Sequence, residues 1–184
     1  RYGCPKGDQA PVTAPAPAQV LPKSNASNDL LAMLLVTKYV DGLPLARFEY
    51  VLARAGALVP RQTLARWVIG TARALQPIAN LMRDVLLGHD LIHMDETPLQ
   101  VLKELGRAAT TQSQMWVQRG GPPGRPVILF EYDPSRAQAV PLRLLDDWKG
   151  YLMADGLESY GAIALREGVT RLGCWVHARR RFVE

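Results

Sequence analysis

Cysteine is scarce in this chain of 184 residues: Cys4 and Cys174 are the whole supply. Two thiols so far apart do not make a disulfide scaffold, so a reducing cytosol is the expected setting. Long apolar runs are missing too. No stretch reaches the ~18 consecutive apolar residues that a membrane-spanning helix needs, which leaves out a helical membrane protein. Arg1 to Ala10 contains nothing like the apolar segment of a secretion signal. The first residue is Arg1 rather than methionine, so an upstream portion is expected.

What is present allows a folded core. Hydrophobic residues make up 48% of the chain, and the length suits one ordinary domain or two small ones. The net charge of +5 is a mild basic excess. It fits nucleic-acid binding without establishing it. Its distribution is more informative: Arg61, Arg66 and Arg73 crowd one stretch, and Arg179, Arg180 and Arg181 crowd the end.

Patterning predicts three regions. Residues 1–28 read as a linker, with alternating Pro and Ala favouring extended backbone and Ser24-Asn25-Ala26-Ser27-Asn28 favouring turns. Residues 29–88 read as helical. A first helix is expected from a cap at Asn28 or Asp29 to about Val40, with Leu30, Leu31, Leu34 and Leu35 as its stripe. A second opens at Pro44 and closes at Gly56; a third runs from Arg61 to about Leu87, with Pro77 inside. Residues 89–184 change period. Strands are expected at 90–102, 114–118, 126–132, 150–154 and 171–176, with helices at 135–148 and 159–167 and another from His177. Antiparallel strands followed by alternating helices and strands predict an α+β or α/β domain with a mixed sheet.

Two acids stand out. Asp95 lies inside an apolar strand, where a charge needs a partner, a metal or a solvated strand end. Glu96 follows it, but successive strand residues face opposite ways, so the two do not share one metal. Asp155 ends the apolar segment Tyr151-Leu152-Met153-Ala154 and precedes Gly156. Alone it also reads as a turn residue. Carboxylates on neighbouring strands can converge on a hard cation such as Mg2+ or Mn2+, as phosphodiester chemistry requires.

Pro44 to Val68 follows a helix, short turn, helix plan. In a helix-turn-helix the second helix enters the major groove, and Arg61, Gln62, Thr63 and Arg66 suit its exposed start. A plain bundle with a charged exterior explains the same residues.

Five ordered segments resemble the insertion sequence sixty-six family of transposases. They are Thr37-Lys38-Tyr39-Val40-Asp41-Gly42-Leu43-Pro44-Leu45; Thr63-Leu64-Ala65-Arg66-Trp67; His93-Met94-Asp95-Glu96-Thr97-Pro98; Gly150 to Gly156; and Gly173-Cys174-Trp175-Val176-His177-Ala178-Arg179-Arg180-Arg181-Phe182. The resemblance covers almost the whole chain. It implies a ribonuclease-H-like catalytic fold with an Asp-Asp-Glu triad, in which Asp95 matches the first acid and Asp155 the second. It implies Mg2+ or Mn2+, element ends and target DNA as partners, a possible homo-oligomer, and a cytoplasmic, nucleoid-associated protein with no membrane role. The family's third acid lies on a later helix, beyond further inserted helices. Glu184 is therefore a poor substitute, and the chain is expected to be an inactive fragment.

Two features depart from that pattern or are left unassigned. The family carries Cys-x-x-Cys upstream, whereas Cys4-Pro5-Lys6-Gly7 ends in glycine. Structural zinc takes four protein ligands, so Cys4 reads as a remnant thiol. Cys174-x-x-His177 has metal-like spacing, but Cys174 reads as a small core residue of a strand. His177 reads either as a hydrogen-bonding group near the acids or as a helix cap. Arg179 and Arg180 read as phosphate contacts or as a solvated face. Rival readings are a non-catalytic DNA-binding remnant of a decayed element and an unrelated ribonuclease-H-like nuclease.

Overall fold

The computed structural model describes residues 7, 14–15 and 17–183. Cys4, Glu184 and the side chain of Arg181 lie outside the described residues. The chain divides into two compact units, Arg1–Gln76 and Pro77–Glu184.

The first unit holds α1 (Asn28–Tyr39), α2 (Leu45–Arg54) and the start of α3 (Arg61–Leu87). The cap of α1 is Ser27, not Asn28 or Asp29: its Oγ accepts from the Leu30 amide at 3.2 Å. Asn28 instead reaches back, accepting from Val20 N at 3.0 Å and donating to Ala18 O at 3.1 Å. Asp29 lies in the first turn, where a negative charge complements the helix dipole. Leu34, Phe48, Leu52, Leu64 and Val68 form the core of this unit. Part of the expected linker joins it. Ala26 is buried, and Leu21 lies so near Gly70 that a Cβ there would meet its Cδ2 at 2.9 Å.

The second unit carries the rest of α3 and a five-stranded mixed sheet. Its strands are β1 (Leu91–Gln100), β2 (Gln112–Gly120), β3 (Val127–Asp133), β4 (Gly150–Ala154) and β5 (Val169–Gly173), in the order β3-β2-β1-β4-β5. β1–β2 and β2–β3 are antiparallel; β1–β4 and β4–β5 are parallel. The short helices α4 (Ala139–Leu145) and α5 (Gly161–Ala164) contribute Val140, Leu144, Leu145 and Ile163 to a core shared with Ile92, Met94, Trp116 and Leu152. This mixed α+β architecture is compatible with a partial ribonuclease-H-like fold.

Several boundaries differ from the sequence reading. α4 starts later than Ser135 because local side-chain turns hold the approach: Asp133 Oδ1 accepts from Ser135 N, and Ser135 Oγ accepts from Ala137 N. The helix at 159–167 is a 3-10 turn (Glu158–Tyr160) followed by α5. β5 ends at Gly173, and α6 (Trp175–Val183) begins where the strand was expected to continue. Cys174 N donates to Ala154 O at 3.1 Å while Cys174 O accepts from Ala178 N at 3.0 Å, so this residue is the junction of strand and helix. Cys174 is half-buried rather than a core strand residue, and Trp175 and Val176 are exposed. Among the described residues no helix is long and apolar enough to cross a membrane.

Candidate active site

β1 alternates as a half-buried strand should. Ile92, Met94 and Glu96 are buried on one face, while Asp95 is exposed on the other. The parallel register pairs Ile92 with Leu152 and His93 with Met153. Carried on by two residues, it sets Asp95 level with Asp155, just past the end of β4. Asp95, in the middle of β1, is thereby set beside the end of β4, where Asp155 stands.

Each acid has one oxygen anchored by local backbone. Asp95 Oδ1 accepts from Glu96 N at 3.0 Å, and Asp155 Oδ1 accepts from Leu157 N at 2.9 Å. Neither Oδ2 accepts a hydrogen bond from a described residue. Beside them runs a groove of about 540 Å³ lined by Asp155, Gly156, Gly173, Cys174, His177 and Arg180, among others. His177 Nε2 stands 3.9 Å from Asp95 Oδ2.

Two carboxylates with open oxygens, Asp155 lining the groove and Asp95 beside its His177, suit Mg2+, which takes one or two carboxylates and keeps waters for the rest. They form a partial set. Among the described residues no group of three or more His, Cys, Asp or Glu side chains is arranged to hold a metal ion.

Behind Asp95, sequence reasoning missed a buried polar network. The Glu96 side chain is 1% exposed. Its Oε1 accepts from Arg136 Nε at 3.0 Å and Nη2 at 2.6 Å, and its Oε2 accepts from Tyr160 Oη at 2.7 Å. A buried carboxylate must be paired in this way or lose its charge. Burial, and then the Glu96 carboxylate, push the Tyr160 phenol far above its ordinary range, so it stays a donor. Tyr160 packs edge-to-face on Trp116, with ring centroids 6.0 Å apart, and Arg171 lies 5.8 Å over its ring. Arg171 Nη2 also donates to Asp155 O and, at 3.2 Å, to Leu157 O. The network thus braces the backbone on both sides of the paired acids. The one signal available in sequence was Glu96 itself, a charge on the inward phase of an apolar strand.

On the outward face of the sheet His93 stands opposite Arg119. Partial burial, and then the Arg119 charge, hold its imidazole below the ordinary range. In the helical unit, Arg61, Gln62 and Arg66 are exposed at the start of α3 and Thr63 is half-buried, while Leu64 and Val68 face the core. Arg179 and Arg180 are exposed on α6, and Arg180 lines the groove beside Asp155.

Comparison with known proteins bears on what this arrangement serves. The chain is similar to three uncharacterized proteins of Sinorhizobium fredii (strain NBRC 101917 / NGR234). To y4qI it is 29% identical over 191 residues, covering 97% of this chain and 35% of that protein. To y4jD it is 30% identical over 197 residues, covering 100% and 38%. To y4hP it is 25% identical over 179 residues, covering 92% and 32%. The chain thus spans about a third of the length of these curated relatives. No solved structure matches it. The family model described as Transposase IS66 family matches residues 23–184, and the chain belongs to that family.

Proposed function

We propose that the chain serves DNA transposition as the end-recognising and acid-bearing part of a DNA transposase, with Asp95 and Asp155 as carboxylate ligands of Mg2+ or Mn2+. The observation that supports this reading is the parallel β1–β4 register, which pairs His93 with Met153 and, continued by two residues, would bring Asp95 level with Asp155. When bound, a hard divalent cation supplies charge stabilisation for the attacking and leaving oxygens of an in-line phosphodiester displacement. Asp95 and Asp155 fix where the reacting phosphate lies, through the oxygens their backbone contacts leave open. Water first opens a phosphodiester and frees a 3′ hydroxyl; that hydroxyl then attacks target DNA, expelling a second 3′ oxygen. Arg180, on the groove wall, carries charge suited to a backbone phosphate.

DNA recognition falls to α2, the turn and the start of α3, where Arg61, Gln62 and Arg66 are exposed and Thr63 is half-buried. Arginine and glutamine at such a helix start can read guanine and adenine edges.

The test is calorimetric titration of Mn2+ into the chain and into Asp95→Asn and Asp155→Asn. Each substitution is expected to weaken binding at least tenfold, as loss of a charged ligand does. Equal affinity in all three proteins would overturn the assignment.

A further inference from the structure

The Cys174-x-x-His177 spacing is not used as a metal motif here: among the described residues no three ligands converge. The structure gives it another basis. Cys174 is bound through its backbone, donating to Ala154 O at the end of β4 and accepting from Ala178 N in the first turn of α6. That pins the start of α6 one residue from Asp155. Three residues at ~100° each bring a helical side chain back to within about 60° of the starting direction. A side chain at position 177 therefore hangs over the same groove as Cys174, Gly156 and Asp155. A spacing of one, two or five residues would turn the side chain away.

What stands at position 177 is an imidazole with two unlike nitrogens. Nδ1 is buried and has no hydrogen-bond partner among the described residues. Nε2 points to Asp95 Oδ2 at 3.9 Å, about 1 Å longer than a hydrogen bond. Burying an N–H without an acceptor is costlier than burying a bare lone pair, so the proton belongs on Nε2, facing the acid. The Asp95 side chain is 55% exposed and free to turn the short distance, while its Oδ1 stays on Glu96 N.

We propose that His177 is a positioning residue: it donates from Nε2 to Asp95 Oδ2, fixing the carboxylate's orientation, with the Cys174 backbone bonds holding the first turn of α6 that carries it. The inference rests on Asp95 being a cation ligand, as proposed above. Groups that orient a ligand from behind alter metal affinity about 10–100-fold when removed.

The experiment is Mn2+ titration into the 184-residue chain, read from the electron paramagnetic resonance of free Mn2+, alongside melting temperatures. His177→Leu is expected to raise the Mn2+ Kd by about 10–100-fold with the melting temperature unchanged. His177→Gln, whose amide N–H can stand near the place of Nε2, is expected to restore most of that affinity. If His177→Leu binds like the parent while Asp95→Asn does not, the positioning role is overturned and the metal assignment stands. If the parent binds no Mn2+, both fall together. A second measurement needs no variant: long-range 1H–15N spectra of the parent should show His177 as the Nε2–H tautomer, and an Nδ1–H tautomer would overturn the role.

Discussion

Tyr160 Oη donates to Glu96 Oε2 at 2.7 Å, joining the 3-10 turn after β4 to the middle of β1 across 64 residues of sequence. The bond matters because Glu96 is almost wholly buried and its other partner, Arg136, is 52% exposed. Removing the phenol leaves one carboxylate oxygen short of a donor in the core. A hydrogen bond to a charged group is worth about 1.5–3 kcal/mol. Tyr160→Phe should therefore lower the unfolding free energy by about that amount in urea titrations. A loss under about 0.5 kcal/mol would show that Arg136 alone satisfies the acid.

The helical unit separates stability from recognition on one helix. Leu64 is fully buried, and Leu64→Ala should cost about 2–5 kcal/mol by thermal unfolding. Arg61 and Arg66 are exposed, so Arg61→Ala and Arg66→Ala should change stability by less than about 0.5 kcal/mol. Both should weaken duplex-DNA binding in anisotropy titrations and flatten its dependence on salt, because each lost phosphate contact releases fewer counterions. Unchanged affinity in both variants would favour a plain helical bundle.

How much of this was legible follows from the range of each signal. Alternation along β1 separated Asp95 from Glu96 correctly, because period two is a local property of the strand. The extent of β4 was read without error because a short apolar run ends at Asp155-Gly156, which is also a local signal. The run Cys174-Trp175-Val176 misled, since three apolar residues in a row read as strand. The backbone bonds of Cys174 turn the chain into α6 there, and Trp175 and Val176 are exposed. The Glu96 network was out of reach because its partners stand 40 and 64 residues away, and no periodicity links positions on different elements. Ser27 took the cap of α1 from Asn28 because Asn28 is engaged with Val20 and Ala18, a tertiary contact that local capping preference does not contain.

Glu104, in the connection between β1 and β2, gives a pH prediction. A hydrogen bond from Tyr132 foremost, aided by Ser113 and Arg107 and opposed by partial burial, holds its carboxyl below the ordinary glutamate range. A depressed folded-state value means that the unfolded chain binds the proton more readily. Its contribution is thus full above the ordinary value of 4.5 and is lost as pH falls through the folded-state value. Melting temperatures measured from pH 6 down to about pH 3 should fall less steeply in Glu104→Gln than in the parent. Parallel curves would show that this cluster does not report on folding.

The last prediction concerns catalysis by the 184-residue chain alone. Two-metal phosphodiester chemistry needs ligands on both sides of the scissile phosphate. The proposed ligands Asp95, in mid-β1, and Asp155, at the end of β4, offer two carboxylates, yet among the described residues no group of three potential ligands is arranged to hold a metal ion. Mg2+ demands near-ideal octahedral geometry, so a two-carboxylate site should bind it weakly and turn over little. Supercoiled plasmid incubated with the chain and Mg2+ or Mn2+ should show no nicking that Asp95→Asn or Asp155→Asn removes. That result also suits a non-catalytic DNA-binding remnant, and the anisotropy titrations above would then carry the distinction from a plain bundle. Robust nicking abolished by both substitutions would mean that another acid completes the site. Glu158 is the described candidate, exposed in the 3-10 turn three residues after Asp155. Glu158→Gln would then have to abolish nicking while leaving the melting temperature in place.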